Sequence, residues 1–262
     1  NKMQFTDQMN RIICLESSPK RIISLVPSQT EFLFDLGLDE RVVGITKFCI
    51  HPEKWFRRKM RVGGTKNVYF DKIAEMKPDL IIANKEENTE AEIKTLMEHY
   101  PVWMSDIQTL EDALEMIYEI GNITQTTNKA GGIIQLIQDG FLSLQPTTTK
   151  KAAYFIWQNP LMSINQSRFI HDMMQRCGLT NVFSEKNADY PEISKEELRK
   201  ASPEVILLSS EPFPFQKKHL FYFQEVCPKA QVILVDGEIF SWYGSRLQLA
   251  PDYFKKLLEE LH

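Results

Sequence analysis

Residues 236–246 read DGEIFSWYGSR and follow AQVILV, a short apolar run that predicts a buried strand. Phe240, Trp242 and Tyr243 fall within four positions, with Gly244 and Arg246 behind them. Loops ordinarily use Gly, Asn and Ser for turning. Three rings here either complete the core against the final helical pattern, APDYFKKLLEELH, or receive something large and flat. Trp and Tyr carry broad apolar area with a polar handle, which suits a binding surface. The planar fork of Arg246 could pair with a ligand carboxylate or phosphate, stack on a ring, or fix the loop through a salt bridge.

His51 lies in CIHPE, after a strand pattern and before Pro52. An imidazole in a loop at a strand's carboxyl end is a candidate ligand or metal contact, with a capping or surface role as the plainer reading. His99, His171, His219 and His262 are scattered, mostly on helical patterns, and read as structural or solvent-facing. A divalent metal site needs several His and carboxylates converging. The spacing of His51, Glu86 and Asp236 does not specify such a site, so no metal held by protein groups alone is expected. Nucleophile elbows and phosphate cradles are absent from the sequence. VGGTKN (62–67) reads as a turn and KEE (85–87) as solvated carboxylates. Cys14, Cys49, Cys177 and Cys227 form no CxxC pair, and Cys177 falls in an apolar helix pattern as a small core residue. Nothing here calls for catalysis or a resident cofactor.

Composition sets the frame for these residues. The chain has 262 residues, 43% hydrophobic and 25% charged, with a formal net charge of −4. That suits a globular protein of one large or two small domains. No basic tract supports nucleic-acid binding. No apolar run approaches the ~20 residues of a membrane-spanning helix. The stretch NKMQFTDQMNRIICLESSPKR has no continuous apolar core of a signal peptide, which leaves a cytoplasmic setting open.

The elements that must position the candidates alternate between short β-branched runs and helical patterns, which argues for βαβ units and mainly parallel sheets. Strands are predicted at 21–26, 42–46, 79–84 and 102–106, then at 152–158, 204–209 and 231–236, with NVF (181–183) as a further candidate. Two helical patterns without an intervening strand occupy 109–146, and QPTTTKK (145–151) reads as a boundary. The halves repeat. FDKIAEMKPDLIIAN (70–84) and KEELRKASPEVILLS (195–209) share a short helix, a Pro followed by an acid, and a strand. Pro78 and Pro203 lie 125 residues apart, as do Asp71 and Glu196. The reading is an α/β fold of two similar lobes, 1–124 and 150–262, joined by a long backbone helix within 125–149. A ligand cleft would lie between the lobes, lined by segments at the strands' carboxyl ends. Those segments are 26–31, 47–53, 84–88, 157–162, 209–215 and 236–246. Asp71 and Glu196 each begin a helix, where acids favour the backbone dipole. SKEE (194–197) has the form of a capping box, which leaves Glu196 pointing outward. One acid per lobe, equivalently placed, is what a two-point dock needs.

PKRIISLVPSQTEFLFDLGLDERVVGIT, VGGTKNVYFDKIAEMKPDLIIA and GLTNVFSE…YPEISKEELRKASPEVILL together resemble the substrate-binding proteins of ABC importers with a helical backbone. They are most similar to the vitamin B12-binding branch, whose relatives carry heme and ferric siderophores. The likeness runs from about Lys20 to the C-terminal helix. It implies a monomeric, non-enzymatic solute-binding protein outside the cytoplasmic membrane, delivering a cobalamin-type ligand to an ABC permease. Heme or a ferric siderophore is the alternative ligand, and a cytoplasmic enzyme or sensor the alternative class. The resemblance places Pro27, Ser28, His51, Lys66, Trp157, Glu211, Phe240, Trp242, Tyr243 and Arg246 on cleft-lining segments. It matches Asp71 and Glu196 to acids that meet arginines of the membrane subunits. His51 or Tyr243 is the candidate axial ligand to a ligand's iron or cobalt. Where the B12-binding branch has tryptophans, this chain has Thr65 and Ile239.

Overall fold

The β-branched runs do form strands, and the order in which they pair repeats. The computed structural model describes residues 1–261; His262 lies outside them. The elements of the first half are β1 (Met3–Thr6), β2 (Ile12–Leu15), β3 (Ile22–Ser24), α1 (Pro27–Asp35), β4 (Val42–Ile45), α2 (Glu53–Arg58), β5 (Met60–Arg61), α3 (Phe70–Met76), β6 (Leu80–Asn84), α4 (Glu90–Met97), β7 (Val102–Ser105), α5 (Leu110–Thr124) and α6 (Thr127–Ser143). The second half has β8 (Lys150–Phe155), α7 (Phe169–Arg176), β9 (Leu179–Asn181), α8 (Lys195–Ala201), β10 (Val205–Ser209), α9 (Leu220–Val226), β11 (Gln231–Val235), α10 (Gly237–Ser241) and α11 (Ala250–Glu260). Among the described residues no helix is long and apolar enough to cross a membrane.

One sheet has the order β5-β4-β3-β6-β7 and the other β11-β10-β8-β9, with every pair parallel. Stripped of its edge strand β5, the first sheet has the topology of the second: β3 and β8 sit inside, β6 and β10 beside them, β7 and β11 at one edge. Strands β6 and β10 are buried at every position, as expected of parallel strands covered on both faces. Ile23, Ile73, Ile81 and Val102 anchor the core under the first sheet; Phe155, Leu198, Ile206 and Phe223 anchor that of the second.

The repeated helix–Pro–acid–strand motif has a mechanical reading. Helices α3 and α8 both end on a left-handed residue, Lys77 and Ser202, each at φ 48°. Pro78 and Pro203 then bar helix continuation. The following acids tie the neighbouring strand: Asp79 accepts from the backbone amides of Lys20 and Arg21, both at 2.8 Å, and Glu204 accepts from that of Lys151 at 2.8 Å. One joint is thus built twice, each time setting the register at the amino end of a sheet.

The structure departs from the expected element limits in four places. Residues 3–15 form an antiparallel hairpin that sequence reading did not anticipate. Its turn is held by Asp7, whose carboxylate accepts from the amides of Met9 and Arg11 and, through its other oxygen, from that of Met104 on β7. β5 is a two-residue strand, too short for any periodicity. The candidate strand at 181–183 lies instead at Leu179–Asn181, because the Asn181 side chain accepts from the amide of Phe183 and turns the chain inward. The partition also differs from 1–124, 125–149 and 150–262. One unit comprises 1–107, 111–136 and 243–246; the other comprises 108–110, 137–242 and 247–262. The division falls inside α6, whose Phe141 packs in the second unit against Phe254 at 6.3 Å. Residues Tyr243–Arg246 return to the first unit for reasons given below.

Replacing Asp79 or Glu204 by Ala removes acceptors from strand-initiating amides. Each change is expected to cost about 0.5–1.5 kcal/mol in denaturant unfolding, and the pair to add, since the joints share no partner. A Glu204→Gln variant, which keeps an acceptor, should fall between. Unfolding midpoints unmoved by both Ala variants would show that the joints do not set stability.

Candidate functional site

At the carboxyl edge of the first sheet, side-chain amides do the work that ladder hydrogen bonds no longer can. The Asn84 carboxamide oxygen accepts from the amides of Glu86 and Glu87, and its nitrogen donates to Ser105. Asn88 accepts from the Asn84 amide at 2.8 Å and donates to the carbonyls of Leu25 and Thr65 at 3.1 and 3.0 Å. One buried carboxamide therefore stitches three loops. Thr30 adds bonds to Ser24 and to the Cys49 thiol, which Thr46 also approaches at 3.2 Å. Burial pushes the Cys49 thiol up, so it serves as a packed group rather than a nucleophile.

On this fixed edge stand two apolar side chains that sequence reading passed over. Phe48 is 52% exposed and Ile50 46%, both in the loop after β4. The Lys47 ammonium lies 5.2 Å from the Phe48 ring centre, a cation–π contact. His51 follows them, partly exposed. Lys66 is exposed and donates to the Glu86 carbonyl at 2.6 Å. Pro27 and Ser28 form the first turn of α1, Pro27 partly exposed and Ser28 buried. The signal that could have found Phe48 and Ile50 was present: KFCIHPE carries two large apolar residues in a loop at a strand's carboxyl end.

The segment Tyr243–Arg246 belongs to this unit because α1 holds it. Arg246 places its fork on Glu31, Nε to Oε1 at 3.0 Å and Nη2 to Oε2 at 2.6 Å. Both side chains are only 15% exposed, so the pair is poorly screened. Ser245 donates to Asp35, and the Tyr243 hydroxyl donates to Glu87. Gly244 permits the approach: a Cβ there would lie 2.4 Å from the Ser28 carbonyl oxygen. Burial first, and the Glu87 charge second, push the Tyr243 phenol well above its ordinary value. Tyr243 is buried, and its hydroxyl, the group expected to reach a ligand's metal, is on the Glu87 carboxylate here. Of the alternatives considered for Arg246, this pairing is the salt bridge that fixes the loop.

In the second unit the aromatics divide. Phe240 is fully buried, tilted against Tyr154 at 5.1 Å and Phe254 at 4.9 Å. The expectation that it lines a ligand wall is therefore corrected; it completes the core, because α10 turns its ring inward. Trp242 is also buried, its indole N–H donating to Glu211 at 3.2 Å. Trp157, by contrast, faces outward, 38% exposed, and rests edge-on to Phe213 at 5.5 Å. Phe213 in turn packs on Phe215 and on His219, whose Nδ1 accepts from the Gln216 amide at 2.8 Å. Glu211 is partly buried; desolvation raises its carboxyl, while bonds from Ser241 and Trp242 pull it back.

Asp71 and Glu196 are exposed in the first turns of α3 and α8. Next to Asp71, Tyr69 and Phe70 are exposed as well. Beside Glu196 the expected capping box forms: Glu197 N–H donates to Ser194 at 3.0 Å and Ser194 N–H to Glu197 at 3.3 Å.

Comparison with known proteins places this geometry. The family model described as periplasmic binding protein matches residues 22–225. The vitamin B12-binding protein of Pectobacterium atrosepticum is 25% identical over 253 residues, 93% of this chain and 90% of that protein. The crystal structure of the periplasmic vitamin B12 binding protein BtuF of Vibrio cholerae superposes with a TM-score of 0.81 at 22% identity, covering 92% of this chain and 97% of that one. The petrobactin-binding protein YclQ of Bacillus subtilis superposes with a TM-score of 0.84 at 17% identity, covering 99% of each. These two likenesses show the fold.

Two measurements check the reading of the rings and the strap. Phe240→Ala is expected to cost about 3–5 kcal/mol in unfolding and Trp157→Ala less than about 1 kcal/mol; equal costs would place Trp157 in the core. Asp35 is raised chiefly by burial, with Ser245 and Arg246 opposing. A carboxyl raised on folding adds stability below its unfolded pKa and loses it as pH rises through the folded value. Asp35→Asn cannot ionise, so its melting temperature should exceed wild type at pH 8 and approach it at pH 4. A difference independent of pH would remove that assignment.

Proposed function

We propose that this chain, which belongs to the periplasmic binding protein family, captures a corrinoid of the vitamin B12 type outside the cytoplasmic membrane and hands it to the membrane subunits of an ABC importer. The observation that carries the ligand reading is the Trp157 ring, presented to solvent and braced edge-on by Phe213. A solvent-facing ring braced by its neighbour offers a flat apolar face at little ordering cost, which suits a macrocycle. In the first unit Phe48 and Ile50 offer apolar surface on loops fixed by Asn84 and Asn88. The vitamin B12-binding relatives support the corrinoid over other macrocycles.

The mechanism is binding without turnover. Rings take the ligand's apolar faces; exposed polar groups, Lys66 among them, meet its rim. Asp71 and Glu196, each exposed in the first turn of a short helix, would pair with arginines of the membrane subunits. Such exposed charges guide encounter and orientation more than they add affinity. A second reading, heme, draws on His51, whose partly exposed imidazole shares a loop with Phe48 and could take an iron's axial position.

Titration of the full chain with cyanocobalamin, hemin and a ferric siderophore, followed by tryptophan fluorescence and visible absorbance, decides among these ligands. Saturable binding of cyanocobalamin is expected, weakened about tenfold in Trp157→Ala, the loss of one stacking contact. Binding of hemin alone, with an absorbance band that moves in His51→Ala, would replace the corrinoid by heme. Asp71→Ala and Glu196→Ala should leave cyanocobalamin affinity unchanged and lower uptake by vesicles carrying the permease. Unimpaired uptake would remove both acids from the dock.

A further inference from the structure

Asp71 and Glu196 stand in two copies of one motif, and the copies differ at two telling positions. The 125-residue offset that matches these acids also matches Val68 with Ile193, Tyr69 with Ser194, Phe70 with Lys195 and Ile73 with Leu198. Val68 and Ile73 are buried in the first unit's core, as Ile193 and Leu198 are in the second's, so both helices are anchored alike. Between the anchors the copies part. In the second unit Ser194 caps α8 with a full capping box, and exposed Lys195 follows. In the first unit the cap position of α3 holds Tyr69, which makes no side-chain cap bond, and Phe70 follows. Tyr69 is 47% exposed and Phe70 39%. An aromatic residue forgoes the stabilisation that a Ser cap gives, and two solvated rings add the cost of hydrating apolar surface. A local rule kept in one copy and broken in the other marks positions shaped by something outside the unit.

The rings and the acid open on one depression of 480 Å³, lined by Tyr69, Phe70, Asp71, Lys72 and Glu75. Neither Asp71 nor Glu196 has an ion pair among the described residues. Around Glu196 the exposed neighbours are Ser194 and Lys195, and the nearest ring before them in sequence, Tyr190, is engaged by the Arg168 guanidinium at 5.6 Å. We infer that the two units dock unequally: Tyr69 and Phe70 seat on an apolar surface of a membrane subunit beside the cation that meets Asp71, while Glu196 is held by charge alone. The inference rests on the docking reading above and names the chemistry of the surface that each acid meets. Aromatic side chains buried at an interface carry much of its binding energy. Exposed ion pairs contribute little and are screened by salt. The first contact should therefore outlast salt that dissolves the second.

The test gives the first unit the second unit's residues. The full chain carrying Tyr69→Ser with Phe70→Lys is compared with wild type for binding to the permease in lipid nanodiscs. The variant is expected to melt at or above the wild-type temperature, because α3 gains a cap, and to keep its affinity for cyanocobalamin. Its affinity for the permease should fall about tenfold or more, the loss of two aromatic anchors. Raising salt from about 0.1 M to about 1 M should abolish the binding that remains in the variant and only reduce that of wild type. Tyr69→Phe, which keeps the ring and adds no cap, should bind as wild type does. A lower melting temperature in the exchanged variant would make the rings part of the fold and overturn the inference. So would unchanged permease affinity in that variant while Asp71→Ala and Glu196→Ala both weaken it, a result that leaves the dock standing. Equal retention of wild type on nanodiscs without permease would assign the rings to the lipid surface, and self-association lost in the variant would assign them to a second copy; either overturns the inference. Permease binding unaffected by both Ala variants removes the docking reading and this inference with it.

Discussion

Parallel pairing imposes one demand from which most of this structure follows. Strands that all run the same way leave their turns at two edges, and at the carboxyl edge the ladder ends with backbone groups still to be satisfied. Here side chains supply the missing partners. Asn84 and Asn88 do so in the first unit and Ser209 in the second. Loops held in this way are ordered without being buried. They can carry rings such as Phe48 and Trp157 toward solvent without losing shape, and a rigid apolar face costs little entropy when a ligand arrives.

The same demand explains why the most aromatic stretch of the chain is not the most exposed. Phe240 and Trp242 serve the second unit's core and its Glu211. Tyr243, Ser245 and Arg246 are captured by three acids of the first unit, Glu87, Asp35 and Glu31. One guanidinium pairs with Glu31, and neutral hydroxyls occupy the other two. A strap held by partly buried hydrogen bonds and one forked ion pair is specific in register, because shifting it by a residue would break these pairings together.

Much of the architecture was legible beforehand. The 125-residue repeat could be read from Pro78 and Pro203 with their following acids, and the structure shows why those positions recur: each ends a helix and clamps a strand. The capping box at Ser194–Glu197 was equally plain, since both partners lie within one turn. What escaped was either too short or too distant in sequence. Strand β5 has two residues, and the hairpin turn depends on Asp7 reaching Met104, almost a hundred positions away. Phe240 escaped for the same reason: whether a side chain faces a core or a ligand depends on which helix covers it.

Local chemistry alone therefore determined the α/β class, the parallel strands, the two-fold repeat and the family resemblance, because periodicity, proline punctuation and capping act over a few residues. Tertiary structure decided the rest. It turned Phe240 inward and sent Tyr243–Arg246 into the first unit. It left Trp157, Phe48 and Ile50 exposed on loops at the strands' carboxyl ends. Those outcomes depend on contacts between segments up to 215 residues apart, as for Arg246 and Glu31. No local pattern encodes them, because burial and charge environment belong to the packed neighbourhood and not to the residue.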